Sequence, residues 1–62
     1  MRIGQRIRMC FDSTYSYGTI NSESNERWSK GEWVVRFTEG YIATRKKNYC
    51  FKASKLEELL YF

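Results

Sequence analysis

The chain has no histidine and no proline, only two cysteines and four glycines, and no long apolar run. Without histidine, the side chain that most often serves as a general base near neutral pH is missing. The seven carboxylates (Asp12, Glu23, Glu26, Glu32, Glu39, Glu57 and Glu58) are scattered through turns and one terminal helix face, so no acid–base pair stands out. The phosphate-gripping pattern G-x-x-x-x-G-K is also missing. These absences predict a protein that is not an enzyme.

The cysteines restrict the chemistry further. Structural zinc needs about four Cys or His ligands, and Cys10 and Cys50 are the whole supply, so no metal or cofactor is expected. As nucleophiles they would need a neighbouring cation such as Arg8 or Lys52 to favour the thiolate; the plainer reading is two small core residues. A Cys10–Cys50 disulfide would close a loop of about 40 residues and add roughly 3 to 4 kcal/mol, but only in an oxidising compartment. The opening "MRIGQRIRMC" lacks the apolar core of a signal peptide, and no segment approaches a membrane span. The expectation is a cytoplasmic protein with reduced thiols and no membrane partner.

What the chain does have is rings and positive charge. Sixty-two residues make one domain, because a chain this short buries only about 60% of its unfolded surface and cannot supply two cores. Aromatic residues make up 18% of the chain, and Trp28, Trp33, Phe11, Phe37, Tyr49 and Phe51 are available to fill a small interior. Eleven Lys and Arg against seven Asp and Glu give a net charge of +4. That balance favours phosphate, anionic surfaces or acidic protein patches if it marks a partner, and otherwise serves solubility.

Period-2 alternation dominates. Ile3, Ile7, Met9 and Phe11 take odd positions and Arg2, Arg6 and Arg8 even ones, which predicts a strand with an apolar inner face and a basic outer face. "DSTYSYG" reads as a turn-forming loop carrying Tyr15 and Tyr17, and "YGTIN" as a short second strand. Residues 21–31 form a polar connection whose one large ring is Trp28, either folded over the end of the core or exposed for use. In "EWVVRFT", Trp33, Val35 and Phe37 share a face. "EG" at 39–40 suits a two-residue hairpin turn, and "YIATRKK" and "YCFKA" follow as strands. "SKLE" at 54–57 fits a capping box, so a helical turn should start there, with Leu56, Leu59 and Leu60 as a lid on the core.

The run "GQRIRM", "YGTI", "WVVRFTEG", "ATRKKNYCFKASKLEEL" resembles the Src-homology-3-like small β-barrels of KOW and Tudor-type modules. The resemblance implies an all-β fold, a barrel of four or five short antiparallel strands closed by a C-terminal helical turn, working as a binding module.

Two functions follow from these residues. In "RKKNYCFK", a strand would place Tyr49 and Phe51 on one face and Cys50 and Lys52 on the other, the rings serving either as core or as stacking surface. If the first and last strands are neighbours, Arg6 and Arg8 merge with Arg45, Lys46, Lys47 and Lys52 into one basic patch, with Tyr15 and Tyr17 as stacking rings. Such a surface binds DNA or RNA with little base specificity. The alternative is a small regulatory or viral protein that binds and inhibits a protein partner through Trp28, Tyr15 and Tyr17. Neither reading involves a small-molecule substrate.

Overall fold

A computed structural model describes residues 1–62. It is mostly antiparallel sheet with one short C-terminal helix: β1 (Arg6–Phe11), β2 (Thr14–Glu23), β3 (Trp33–Phe37), β4 (Ile42–Arg45), a 3₁₀ turn (Lys47–Tyr49), β5 (Cys50–Lys52) and α1 (Lys55–Tyr61). The strand order is β4-β3-β2-β1-β5. The edge strands β4 and β5 are not hydrogen-bonded to each other, so the sheet is open. No helix is long and apolar enough to cross a membrane.

The long strand β2 organises the sheet. Its first six residues, Thr14–Thr19, pair with β1, and Gly18–Glu23 pair with β3. The register shifts between Ile20 and Ser22, leaving Asn21 as a bulge that bends the strand and increases its twist. The inner face carries the core: Ile7, Met9, Ile20, Val35, Phe37 and Cys50, with Trp33, Ala43 and Tyr49 packed against it. Gly18 sits in register between Ile7 and Phe37. A Cβ there would lie 2.7 Å from both the Arg36 carbonyl oxygen and Val35 Cγ1, so the close approach of β2 and β3 requires glycine.

Several sequence expectations are corrected. Ile3 does not continue the inner face of β1. Gly4, at φ +87°, turns the chain, and the Gln5 N–H bonds back to the Arg2 carbonyl, leaving Ile3 exposed. Phe11 closes β1 beside the hairpin turn and is exposed as well, its ring set edge-on to Tyr49. The connection between β1 and β2 is only Asp12–Ser13, both at positive φ (55° and 64°), as in a type I′ turn. Tyr15 and Tyr17 therefore lie in a strand and not in a loop. The β3–β4 connection is four residues, Thr38–Tyr41, not two: Gly40, at φ +105°, donates its N–H to the Phe37 carbonyl, and the Phe37 N–H bonds to the Tyr41 carbonyl.

The helix differs most from expectation. The capping box is present, with Ser54 Oγ accepting from the Glu57 N–H at 3.1 Å and Glu57 Oε1 accepting from the Ser54 N–H at 2.9 Å. Yet Leu56, Leu59 and Leu60 form no lid: they are 65%, 81% and 64% exposed. The face turned to the sheet carries Glu57, Glu58 and Tyr61 instead, because these are the side chains that find partners among the arginines and tyrosine of β1 and β2.

Candidate nucleic-acid interface

The register of β1 fixes what stands on the outer face of the sheet. Arg6 is opposite Thr19, Arg8 opposite Tyr17 on β2 and Phe51 on β5, and Cys10 opposite Tyr15. Paired residues share a face, so Tyr15, Tyr17 and Phe51 surround Arg8 on the side away from the core. The Arg8 guanidinium lies 4.9 Å from the Tyr15 ring centroid and 5.7 Å from that of Phe51. Both rings are open to solvent, Tyr15 57% and Phe51 46% exposed. Phe51 is thus outside and Cys50 inside, because Cys50 pairs with Met9 on the core face. Tyr49 belongs to the 3₁₀ turn and packs against the core from there.

α1 covers part of this face. Glu57 Oε2 lies 3.4 Å from Arg8 Nη1 and accepts from the Tyr17 hydroxyl at 3.1 Å. Glu58 reaches Arg6 at 3.8 Å. Tyr61 stacks on Tyr17, and the Arg6 guanidinium sits 5.2 Å from the Phe62 ring centroid. The Glu57 carboxyl is held below its ordinary pKa, chiefly by the Ser54 backbone N–H; partial desolvation opposes this, while the Tyr17 hydroxyl, the Ser54 hydroxyl and Arg8 reinforce it. Tyr17 is pushed up, first by partial burial and then by the Glu57 carboxylate it donates to.

The other nominated cations stand elsewhere. Arg45 pairs across from Trp33 and places its guanidinium 5.3 Å from the centroid of the core ring Phe37. With Lys46 it lines an open pocket of about 400 Å³ against Met9, Phe11 and Tyr49. Lys47 is ion-paired with Glu23 and lies 4.4 Å from the Trp33 ring centroid. Met9, Phe37 and Trp33 belong to the inner side of the sheet, whereas Arg6 and Arg8 face outward. The two basic sets are therefore separated by the sheet and do not merge. Lys46 and Lys52 have no ion-pair partner within 4.0 Å; Lys52 ends β5, the edge strand beside β1.

Glu57, Glu58, Tyr61 and Phe62 join this surface only through the tertiary fold. The capping box does place Glu57 in the first helical turn from sequence alone, but that the arginines of β1 lie opposite it is set by the tertiary fold. Trp28 is 82% exposed, so the ring does not fold over the core. No family model matches the chain, and no curated protein or solved structure matches it.

Proposed function

We propose that this chain is a non-catalytic binding module that holds single-stranded DNA or RNA, with little base specificity, on the outer face of β1, β2 and β5. The observation that carries the reading is Arg8 set between the exposed rings of Tyr15 and Phe51. A small domain needs its rings in the core; here two stand outside and bracket a guanidinium. Bases stack on such rings whatever their identity, and the cation meets the backbone. The net charge of +4 adds long-range attraction for a polyanion. The long β2, bent at Asn21 and shared between β1 and β3, supports reading the open sheet as a relative of the Src-homology-3-like small barrels. The cysteines, on opposite faces of the sheet, suit a reducing compartment such as the cytoplasm.

A second reading rests on one different observation. Trp28 projects from the β2–β3 connection and is 82% exposed, which suits an anchor for a protein partner. The two readings separate in one titration of a fluorescein-labelled oligothymidine followed by anisotropy. Under the nucleic-acid reading, Tyr15→Ala and Phe51→Ala each weaken binding by about 1 to 3 kcal/mol and affinity falls with log salt by roughly 0.7 per phosphate contacted, while Trp28→Ala leaves it unchanged. Absence of binding at low salt would remove that reading and leave Trp28 as the partner-facing residue.

A further inference from the structure

α1 sits on the outer face as a ligand would, and its chemistry resembles that of a nucleic-acid strand. It presents two carboxylates to two arginines and lays one ring flat on another. We infer that the surface beneath α1 comprises two phosphate positions, at Arg6 and Arg8, and one base position, on the Tyr17 ring, and that α1 occupies them with Glu58, Glu57 and Tyr61. The inference rests on the nucleic-acid reading above and extends its footprint from the Tyr15–Phe51 pair to the covered half of the face.

Four observations support it. Arg6 and Arg8, two residues apart on one strand face, stand roughly 7 Å apart along β1, a spacing that suits successive phosphates of an extended strand. Glu57 satisfies Arg8 poorly: the contact is to Nη1 alone at 3.4 Å, and Arg8 Nε is buried with no hydrogen-bond partner. A phosphate takes guanidinium through two parallel N–H bonds, so it would engage the donor that Glu57 leaves unused.

The helix is also held loosely. None of its residues is buried, its leucines face solvent, and Arg6, Lys55, Glu58 and Leu59 line an open groove of about 350 Å³ at its edge. Seven residues are too few to form a stable helix unaided. Finally, the chain up to Ala53 is fixed: Ala53 is buried and its N–H bonds to the Arg6 carbonyl. α1 begins two residues later, so it can leave without disturbing the sheet.

The test uses the full chain. Glu57→Gln with Glu58→Gln removes both charges, and Gln at the third helical position keeps the reciprocal cap. A control with the same net charge, Glu26→Gln with Glu39→Gln, alters carboxylates that make no ion pair. Labelled oligothymidine should bind the first variant about 2- to 30-fold more tightly than the parent, with a salt slope steeper by up to about 1.4, and the control should gain less. Tyr61→Ala should also bind more tightly, while Tyr17→Ala binds more weakly. Amide exchange of residues 55–61 should accelerate when the oligonucleotide is added. If the parent binds but the double variant gains no more than the control, or α1 stays protected in the complex, the inference fails while the nucleic-acid reading stands. If polyglutamate binds the double variant as tightly as the oligonucleotide, the base position is wrong and the face takes acidic chains. If neither parent nor variants bind at low salt, both readings fall.

Discussion

Tyr61 lies flat on Tyr17, with ring centroids 4.2 Å apart and planes within 7° of parallel. The stack joins the last residue of α1 to the middle of β2, and the Tyr17 hydroxyl also donates to Glu57. Two titrating groups therefore hold the helix from opposite ends of the pH scale. Glu57 is depressed from its ordinary 4.5, so its contribution is present above that value and disappears as pH falls through the folded pKa. Tyr17 is raised from its ordinary 10.0, so its contribution is present below 10.0 and disappears as pH rises through the folded value. The ring-proton shifts of Tyr61 should hold their stacked values across neutral pH and move towards free-tyrosine values in both acid and strong alkali. Shifts that stay constant through acid would show that Glu57 does not secure α1.

The two thiols should differ sharply in reactivity. Cys50 is buried, donates to the Lys46 carbonyl at 3.6 Å, and has its pKa pushed up by burial, only partly offset by Arg45. Cys10 is half-buried on the outer face. Since Cys50 pairs with Met9 on β1, Cys10 one residue further on points to the opposite side of the sheet, where a disulfide to Cys50 cannot form without breaking the strand pairing. A thiol reagent should modify Cys10 in the native protein and Cys50 only after denaturation. Equal native rates would contradict this placement.

How much of this was legible in the sequence follows from the range of each signal. The alternation of Arg6, Ile7, Arg8 and Met9 and of Trp33, Val35 and Phe37 reports directly on which side of a pleat meets the core, and those faces are as expected. The capping box depends on residues three apart and was equally readable. The leucines mislead because periodicity identifies an apolar stripe without saying what lies opposite; here the arginines and Tyr17 of the outer face attract the acidic stripe. The strand residues Tyr15 and Tyr17 read as loop in the sequence because Asp12–Ser13 lacks the Asn-Gly signature of a type I′ turn, which hides the restart of the strand at Thr14. The separation of Arg45–Lys47 from Arg6 and Arg8 depends on the pairing of β4 with β3, which no local pattern encodes.

Two backbone positions should respond in opposite directions. Ser13 sits at φ 64° in the β1–β2 turn, a conformation glycine adopts without Cβ conflict. Ser13→Gly should raise stability by about 0.5 to 1 kcal/mol. Gly18→Ala should lower it by about 1 to 3 kcal/mol, since the new methyl meets the Arg36 backbone and Val35 at 2.7 Å. Urea denaturation measures both. A neutral Gly18→Ala would mean that β2 and β3 can separate without loss of packing.

The loop that carries Trp28 is held from inside by a pair of serines. Ser24 and Ser29 are buried, with their hydroxyl oxygens 2.7 Å apart, and the backbone closes around them through Ser24 N–H to the Glu32 carbonyl and Gly31 N–H to the Ser24 carbonyl. Removing one hydroxyl leaves the other with a lost partner in a desolvated site, which costs about 1 to 3 kcal/mol. Removing both leaves no hydroxyl unmatched. Ser29→Ala should therefore destabilise the fold, while Ser24→Ala with Ser29→Ala should cost less than the two single changes added together. Ser24 Oγ also accepts from the Glu26 N–H, so the Ser24→Ala effect should exceed that of Ser29→Ala. Trp28→Ala should shift stability by no more than about 0.5 kcal/mol, because its ring lies outside everything the serines secure. A large destabilisation by Trp28→Ala would show that the indole packs on the fold, and would remove it as a partner-facing anchor.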